Sequence, residues 1–383
     1  MTRKLYYENS HLYHFTATVV TCVEHPKGYA VTLDATAFYP KGGGQACDLG
    51  TLGEARVLDV QEQGEMVVHL CDRPLNVGDR VEGIIDEVRR FDLMQQHTGE
   101  HIVSGIVCAR YGYHNVGFHV GADVITIDFD GIIPADDLPQ IEAAANRAVW
   151  QNLPVRCWVP SPEELPDVRY RTKRALPWPV RIVEIPDVDS CACCGVHVQH
   201  TGEIGLIKLF SCVKFHQGVR IEMACGSRAL EILNTAYEQN RQVSQAFSAK
   251  WMTTGEAARK MNERLSAAEF RCTALERQIF DTVAAGYSGK GNVLHIQEGL
   301  TPLAVRELSD RIAGVCGGTA AVLSGVDGNY NVCLVNHNGD VKALGTAMNQ
   351  ALNGRGGGKP GIFQGSVKAT SVEIEAFFEG FVR

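Results

Sequence analysis

Nowhere in these 383 residues is there a run of about 20 apolar residues, so a membrane-spanning helix is excluded. The opening stretch, Met1-Thr2-Arg3-Lys4-Leu5-Tyr6-Tyr7, leads into polar sequence without the apolar centre of a secretory signal. A surplus of positive charge is missing too: 36 Lys and Arg stand against 44 Asp and Glu, a net charge of −8. Phosphate binding wants a basic surface, so any nucleic-acid partner must be met by local charge. No internal repeat is apparent. Apolar residues are not in short supply, at 45% against 21% charged, which removes extensive disorder. The expected location is the cytoplasm.

Cysteine is plentiful. There are thirteen, and Cys191, Cys193 and Cys194 crowd together. Without a secretory signal, this usage points to reduced thiols and metal ligation, not to a disulfide framework. Charge of the right sign is concentrated in Arg169-Tyr170-Arg171-Thr172-Lys173-Arg174, either a solvated loop or a set of phosphate contacts.

The pattern along the chain predicts an α+β protein in four segments. Residues 1–86 carry short strand-like runs such as Tyr29-Ala30-Val31-Thr32-Leu33, punctuated by Gly and Pro, and read as a small β-barrel. Residues 87–229 read as a mixed α/β core, with helices over Glu87 to Val107 and Leu138 to Gln151 and late strands over Ile204 to Val213 and Val219 to Ala224. Residues 230–286 read as a helical hairpin or coiled-coil linker. There Met261, Leu265, Ala268, Cys272, Leu275 and Ile279 are spaced 4, 3, 4, 3, 4, and Thr253-Thr254-Gly255-Glu256 has the form of a capping box. Residues 287–383 read as a small α/β domain, with a helix around Pro302 to Val315 and a glycine-rich turn at Gly356-Gly357-Gly358-Lys359-Pro360.

The sharpest local signal is His97-Thr98-Gly99-Glu100-His101. On a helix, residues four apart share a face, so both imidazoles can reach one ion. Cys191-Ala192-Cys193-Cys194-Gly195-Val196-His197 supplies a second pair at the same spacing, in a loop or bent strand. Together the pairs make a His3Cys set for one Zn2+ per chain, with Cys191 or Cys194 as alternatives to Cys193. The first pair also fits H-x-x-E-H, the pattern of a zinc peptidase with Glu100 as general base, but that class takes its third ligand from a downstream glutamate.

His97-x-x-x-His101, then Cys193-x-x-x-His197, then Thr201-Gly202-Glu203-Ile204-Gly205, resembles the editing domain of alanyl-tRNA synthetases and its free-standing AlaX-type relatives. Upstream, Thr36-Ala37-Phe38-Tyr39-Pro40-Lys41-Gly42-Gly43-Gly44-Gln45 is similar to that family's glycine-rich motif. The carboxyl-terminal segment resembles the DHHA1-like extra domain of long AlaX proteins, with Gly356 to Pro360 as the match. The cysteine motif departs from the family's usual Cys-Gly-Gly-Thr-His but keeps its spacing. With no aminoacylation domain ahead of the barrel, an intact synthetase is not expected.

The resemblance implies hydrolysis of the ester on tRNA for alanine wrongly charged with serine or glycine. It implies His97, His101, Cys193 and His197 as metal ligands, and Thr36 as the reader of the serine hydroxyl. Gln45 would position substrate or water, Gly42, Gly43 and Gly44 would offer backbone N–H groups, and Glu100 would be a base or orienting group. Contacts to tRNA would come from Arg169, Arg171, Lys173 and Arg174, and from Gly356, Gly357, Gly358 and Lys359. The carboxyl-terminal half would bind tRNA or form a homodimer. The rival classes are the zinc peptidase and an idle tRNA-binding protein.

Overall fold

The computed structural model describes residues 1–121, 123–172 and 176–382, and the chain is a mixed α+β protein. It divides into two compact units, Met1–Gln242 and Val243–Arg383.

The first unit begins with six strands closed into an antiparallel barrel. Its order is His14–His25, Gly28–Leu33, Met66–Cys71, Ala55–Gln63, Gly50–Leu52 and Arg80–Ile85, with His14–Thr18 returning to pair with Ile84–Arg80. Closure leaves no edge to be paired by another chain. Alternation supplies the interior: Val81 and Ile85 point in from the last strand and join Phe15, Val19, Leu33, Leu52 and Val57.

Beyond the barrel runs helix α1 (Glu87–Tyr111), started by the Asp86 carboxylate accepting the Arg89 N–H and ended by Gly112 at φ 72°. The expected helix stopped at Val107; the last turn continues because Gly112 is the first residue suited to the left-handed cap. Against α1 lie helix α2 (Leu138–Trp150), a four-stranded antiparallel sheet and a three-stranded one. The first sheet includes the expected late strands, Ile207–Phe215 and Gly218–Cys225; the second is Arg156–Trp158, Ile182–Ile185 and Asp189–Ala192. Met94, Ile102, Val103 and Val107 are buried among Ile125, Ile127, Ile141, Ile207 and Met223.

Helix α3 (Gly226–Ala246) contains the boundary between the units. In the second unit, helix α4 (Thr254–Ala285) follows a 3-10 turn at Trp251–Thr253. The expected capping box is not made. The Thr253 hydroxyl donates to the Lys250 carbonyl at 3.1 Å, because the 3-10 turn brings that carbonyl within its reach.

A five-stranded sheet follows, ordered Gly291–Ile296, Gly317–Val326, Asn329–Val335, Ile362–Val367 and Arg355–Lys359. Its first pair is parallel, joined through helix α5 (Pro302–Cys316). Alternation splits Gly317–Val326 between two faces: Ala320 and Val322 pack with Leu308 and Ile312, while Ala321 and Leu323 pack with Met348, Ile374 and Phe378. Met348 comes from helix α6 (Lys342–Ala351), Ile374 and Phe378 from helix α7 (Ser371–Phe378). Gly356 to Lys359, expected as a turn, are instead an edge strand: Gly358 pairs with Phe363 and Lys359 with Ile362, and the turn falls after them. Four residues with one side chain among them show no alternation, so the strand was hidden in the pattern.

Candidate metal centre

Seven residues separate Arg90 from His97 and four separate His97 from His101, so all three lie on one side of α1. Arg90 is fully buried. It pairs with the Asp48 carboxylate and donates to the carbonyls of Ser10 and Ala37 at 2.9 and 2.6 Å. A buried ion pair is tolerable when its remaining hydrogen-bonding groups are filled in this way. The result ties the segment carrying Thr36, the glycine run and Gln45 to the helix carrying the histidines.

One ligand atom from each of His97, His101, Cys193 and His197 lies within 4.8 Å of the others. The hydrogen bonds assign those atoms. Gln45 Oε1 faces the Val196 N–H at 3.3 Å, which can only donate, so the amide oxygen is correctly placed. His97 Nδ1, 2.8 Å from the same oxygen, must then carry a proton, leaving its Nε2 lone pair toward the cluster. His101 Nδ1 stands 3.0 Å from the Asp189 carboxylate, which imposes the same tautomer. His197 Nδ1 is 3.1 Å from the Thr98 hydroxyl. Its Nε2 is buried with no partner among the described residues. A buried imidazole nitrogen left bare while its ring-mate is held is the arrangement of a metal ligand.

Distances and charge agree with a zinc ion. Tetrahedral nitrogen and sulfur ligands at zinc bond lengths stand about 3.5 Å apart, and Cys193 Sγ lies 3.5 Å from His97 Nε2. Burial pushes the Cys193 thiol up, but His97 and His101 pull it well below its ordinary value. Burial lowers His101, but Asp189 and Cys193 raise it well above normal. Burial and the neighbouring His97 hold His197 down at about 3, neutral and able to ligate. A divalent cation among these groups would compete with protons for the Cys193 thiolate and the His101 ring.

Residues 193–197 leave the strand Asp189–Ala192 as a loop held from behind. Arg181 Nη1 donates to the carbonyls of Cys193 and Gly195 at 2.8 and 2.9 Å, and the Tyr7 hydroxyl donates to that of Cys194 at 2.9 Å. At Gly195 a Cβ would sit 2.2 Å from His97 Cε1, so no larger residue lets the loop approach the helix. Similarly, a Cβ on Gly105 would sit 2.3 Å from the Val188 carbonyl oxygen; the bare backbone there lets Asp189 reach His101. Cys193 is the cysteine that joins all three histidines. Cys191 groups only with His101 and Asp189, which are engaged with each other, and Cys194 is exposed.

Around the cluster, the ring of Phe118 stacks on His97 at 5.2 Å and lies against Gly44, where a Cβ would come 2.6 Å from it. The glycine run and Gln45 thus border the ligands, and the Gln45 Nε2 group is buried without a partner among the described residues. Glu100 Oε1 accepts from Ser104 and Asn115, while Oε2 stands 3.9 Å from His101 Nε2. Thr36 is fully buried, 2.9 Å from His69 Nε2. Burial lowers His69 to about 4, and its Nδ1 donates to the Val31 carbonyl. The neutral ring must then accept at Nε2, and the Thr36 proton is committed to it.

Not every expected residue joins the site. Arg171 is drawn inward: its guanidinium chelates Asp189 at 2.6 and 2.8 Å, a brace for His101 and not an outward phosphate contact. Charge alone could not distinguish it from Arg169, which is exposed. Lys173 and Arg174 lie outside the described residues. Gly356 to Lys359 belong to the second unit. Sequence reasoning missed Thr98, Phe118 and Asp189. No local pattern marks Asp189, which becomes a partner of His101 only through the fold. A groove of about 900 Å³ on the barrel, lined by Val23, Leu58, Met66 and Leu70 among others, contains none of the ligands.

Two family models match the chain: threonyl and alanyl tRNA synthetase second additional domain over residues 180–222, and tRNA synthetases class II (A) over residues 2–89. The alanine–tRNA ligase of Thermofilum pendens is 32% identical, covering 100% of this chain and 44% of its own length. The chain therefore spans less than half of that ligase. The alanyl-tRNA editing protein Aarsd1-A of Xenopus laevis is 29% identical over 91% of this chain and 87% of its own. The rat protein Aarsd1 is 27% identical over 98% and 97%. A solved structure, the C-Ala domain from Aquifex aeolicus alanyl-tRNA synthetase, covers 25% of the chain at 18% identity, with a TM-score of 0.22 too low to bear on the fold.

Proposed function

From the premise that the chain belongs to the AlaX-type family of alanyl-tRNA editing proteins, we propose that it hydrolyses the aminoacyl ester of wrongly charged alanine tRNA. The substrate is tRNA for alanine carrying serine or glycine, met in the cytoplasm. The observation that carries this reading is the meeting of His97 and His101 with Cys193 and His197 beside Gln45 and the glycine run.

His97, His101, Cys193 and His197 would hold one zinc ion, which supplies a fixed positive charge and Lewis acidity at neutral pH. The chain's own groups divide the remaining work. Gln45 fixes the His97 ring through Oε1 and has both Nε2 protons left to donate to substrate or water. Glu100, one oxygen anchored by Ser104 and Asn115, keeps the other on the ligand side, where it can take a proton from an attacking water. Gly43 and Gly44 offer backbone N–H groups without side chains in the way, while the Gly42 N–H is taken by the Gln45 carbonyl at 3.1 Å. Thr36 would read the serine hydroxyl as an acceptor, since its proton goes to His69. A site that hydrogen-bonds a hydroxyl discriminates far better than an apolar pocket, and correct alanine must be spared. Contacts to the tRNA body would fall to Arg169 and to Lys359 on its edge strand.

The test is incubation of the purified chain with alanine tRNA charged separately with serine, glycine and alanine, with and without a chelator. Loss of the serine or glycine charge, alanine being spared and the chelator arresting the loss, is the expected result. Unchanged charging in every tube sinks the reading.

A further inference from the structure

All four tryptophans of the chain stand at the surface: Trp150, Trp158, Trp178 and Trp251 are 72, 37, 53 and 50% exposed. Tryptophan is ordinarily well covered, so indole surface left open calls for an occupant. Two of the four form one ledge. Trp158 ends the strand Arg156–Trp158, and two residues further on the Pro160 carbonyl accepts the Trp178 indole N–H at 3.1 Å. That bond pins the second ring to the segment that carries the first. The surroundings are basic in a chain that is acidic overall. Between residues 156 and 181 six Arg and Lys stand against three Asp and Glu. Arg156 shares a face of its strand with Trp158, and both Arg156 and Arg169 are exposed. Glu184 lies across the sheet from Arg156, yet among the described residues neither guanidinium makes an ion pair.

The three-stranded sheet sets the ledge at a definite distance from the ligands. Trp158 pairs with Ile182, and Ile182 pairs with Ala192, the residue ahead of Cys193. Neighbouring strands lie about 4.8 Å apart, so Trp158 stands about 10 Å from the start of the ligand loop. Three stacked nucleotides, at about 3.4 Å each, span the same distance. Open indole rings beside unpaired guanidinium groups suit one chemistry: an unpaired nucleic-acid strand, with bases stacked on the rings and phosphates met by the cations. We propose that Trp158 and Trp178, flanked by Arg156 and Arg169, form a stacking ledge for the single-stranded 3′ end of the tRNA that brings the ester to the ligands. This inference rests on the deacylation reading for its substrate, and adds where the unpaired nucleotides lie.

The test uses the full chain and uncharged alanine tRNA, either intact or lacking its last three nucleotides, with binding read by filter retention. Trp158→Ala and Trp178→Ala should each weaken binding of the intact tRNA about tenfold. Trp158→Phe and Trp178→Phe should restore most of that loss, since a phenyl ring still stacks. On the trimmed tRNA the alanine variants should bind as the parent chain does, a double difference that assigns the rings to the unpaired end. In deacylation they should raise KM about tenfold while kcat stays within about twofold, with zinc content unchanged. Alanine penalties of equal size on intact and trimmed tRNA overturn the proposal. So does an unchanged KM with alanine at both positions, the outcome expected if the ledge receives a protein. A chain that shows the length-dependent binding but hydrolyses no ester keeps the ledge and loses the deacylase reading.

Discussion

Helices α1 and α4 both carry side chains that return to one face every three or four residues, yet α1 is enclosed and α4 is open. In α1 the stripe of Arg90, His97 and His101 is at most 2% exposed, and each member bonds a residue from a distant segment. In α4 the stripe from Met261 to Ile279 is exposed throughout. Spacing therefore identifies a face, while what the face does depends on the segment brought opposite. For α1 that segment comes from the same chain, twice: the glycine run with Gln45, and the loop from Cys193 to His197. The two regions should differ as sharply in tolerance. Buried polar groups that each have one partner forgive nothing, whereas exposed groups forgive nearly everything.

The strongest attempt to break the contrast is removal of one ligand. His101→Ala should abolish stoichiometric zinc, measured by elemental analysis of the purified chain. Deacylation of seryl-tRNA for alanine should fall by at least about a thousandfold, on the scale of losing a principal electrostatic group. A folded, metal-loaded and active variant would show that the cluster is not the centre. A smaller effect is expected one shell out. Asp189→Asn keeps an acceptor near His101 Nδ1 but removes the charge that Arg171 grips. Zinc affinity, read by competition with a chelator, should drop about 10–100-fold. Unchanged affinity would reduce Asp189 and Arg171 to a structural brace.

How much of this could be read in advance depends on whether the information is local. His97 and His101, and Cys193 and His197, are visible because both pairs carry their chemistry and spacing within five residues. Asp189 was not, because its role exists only once the strand Asp189–Ala192 is laid against α1 at Gly105. Arg171 was misread for the same reason: a run of basic residues reports charge, not direction, and this one turns inward. The α+β class and the course of α1 and α2 followed from periodicity. The edge strand Arg355–Lys359 did not, since its pairing with Ile362–Val367 comes from a neighbour and not from any pattern of its own.

The finest test of the contrast sets the addition of one carbon in the enclosed region against removal of a whole ring in the open one. Gly195→Ala puts a methyl 2.2 Å from His97 Cε1, where both loop and helix are pinned. Overpacking of that kind costs about 1–3 kcal/mol, so a lower melting temperature and weaker zinc retention are expected. Phe270 is 79% exposed on α4, ahead of the buried Phe280 and Ala284. Phe270→Ala should move stability by no more than about 0.5 kcal/mol, leaving zinc content and deacylation as they were. If the phenyl deletion proves the costlier of the two, the outer side of α4 is covered in solution and the helix is not the open element its exposure describes. If the order holds, one methyl outweighs a phenyl ring because cost follows the freedom of the surroundings to yield, and the loop behind His97 has none.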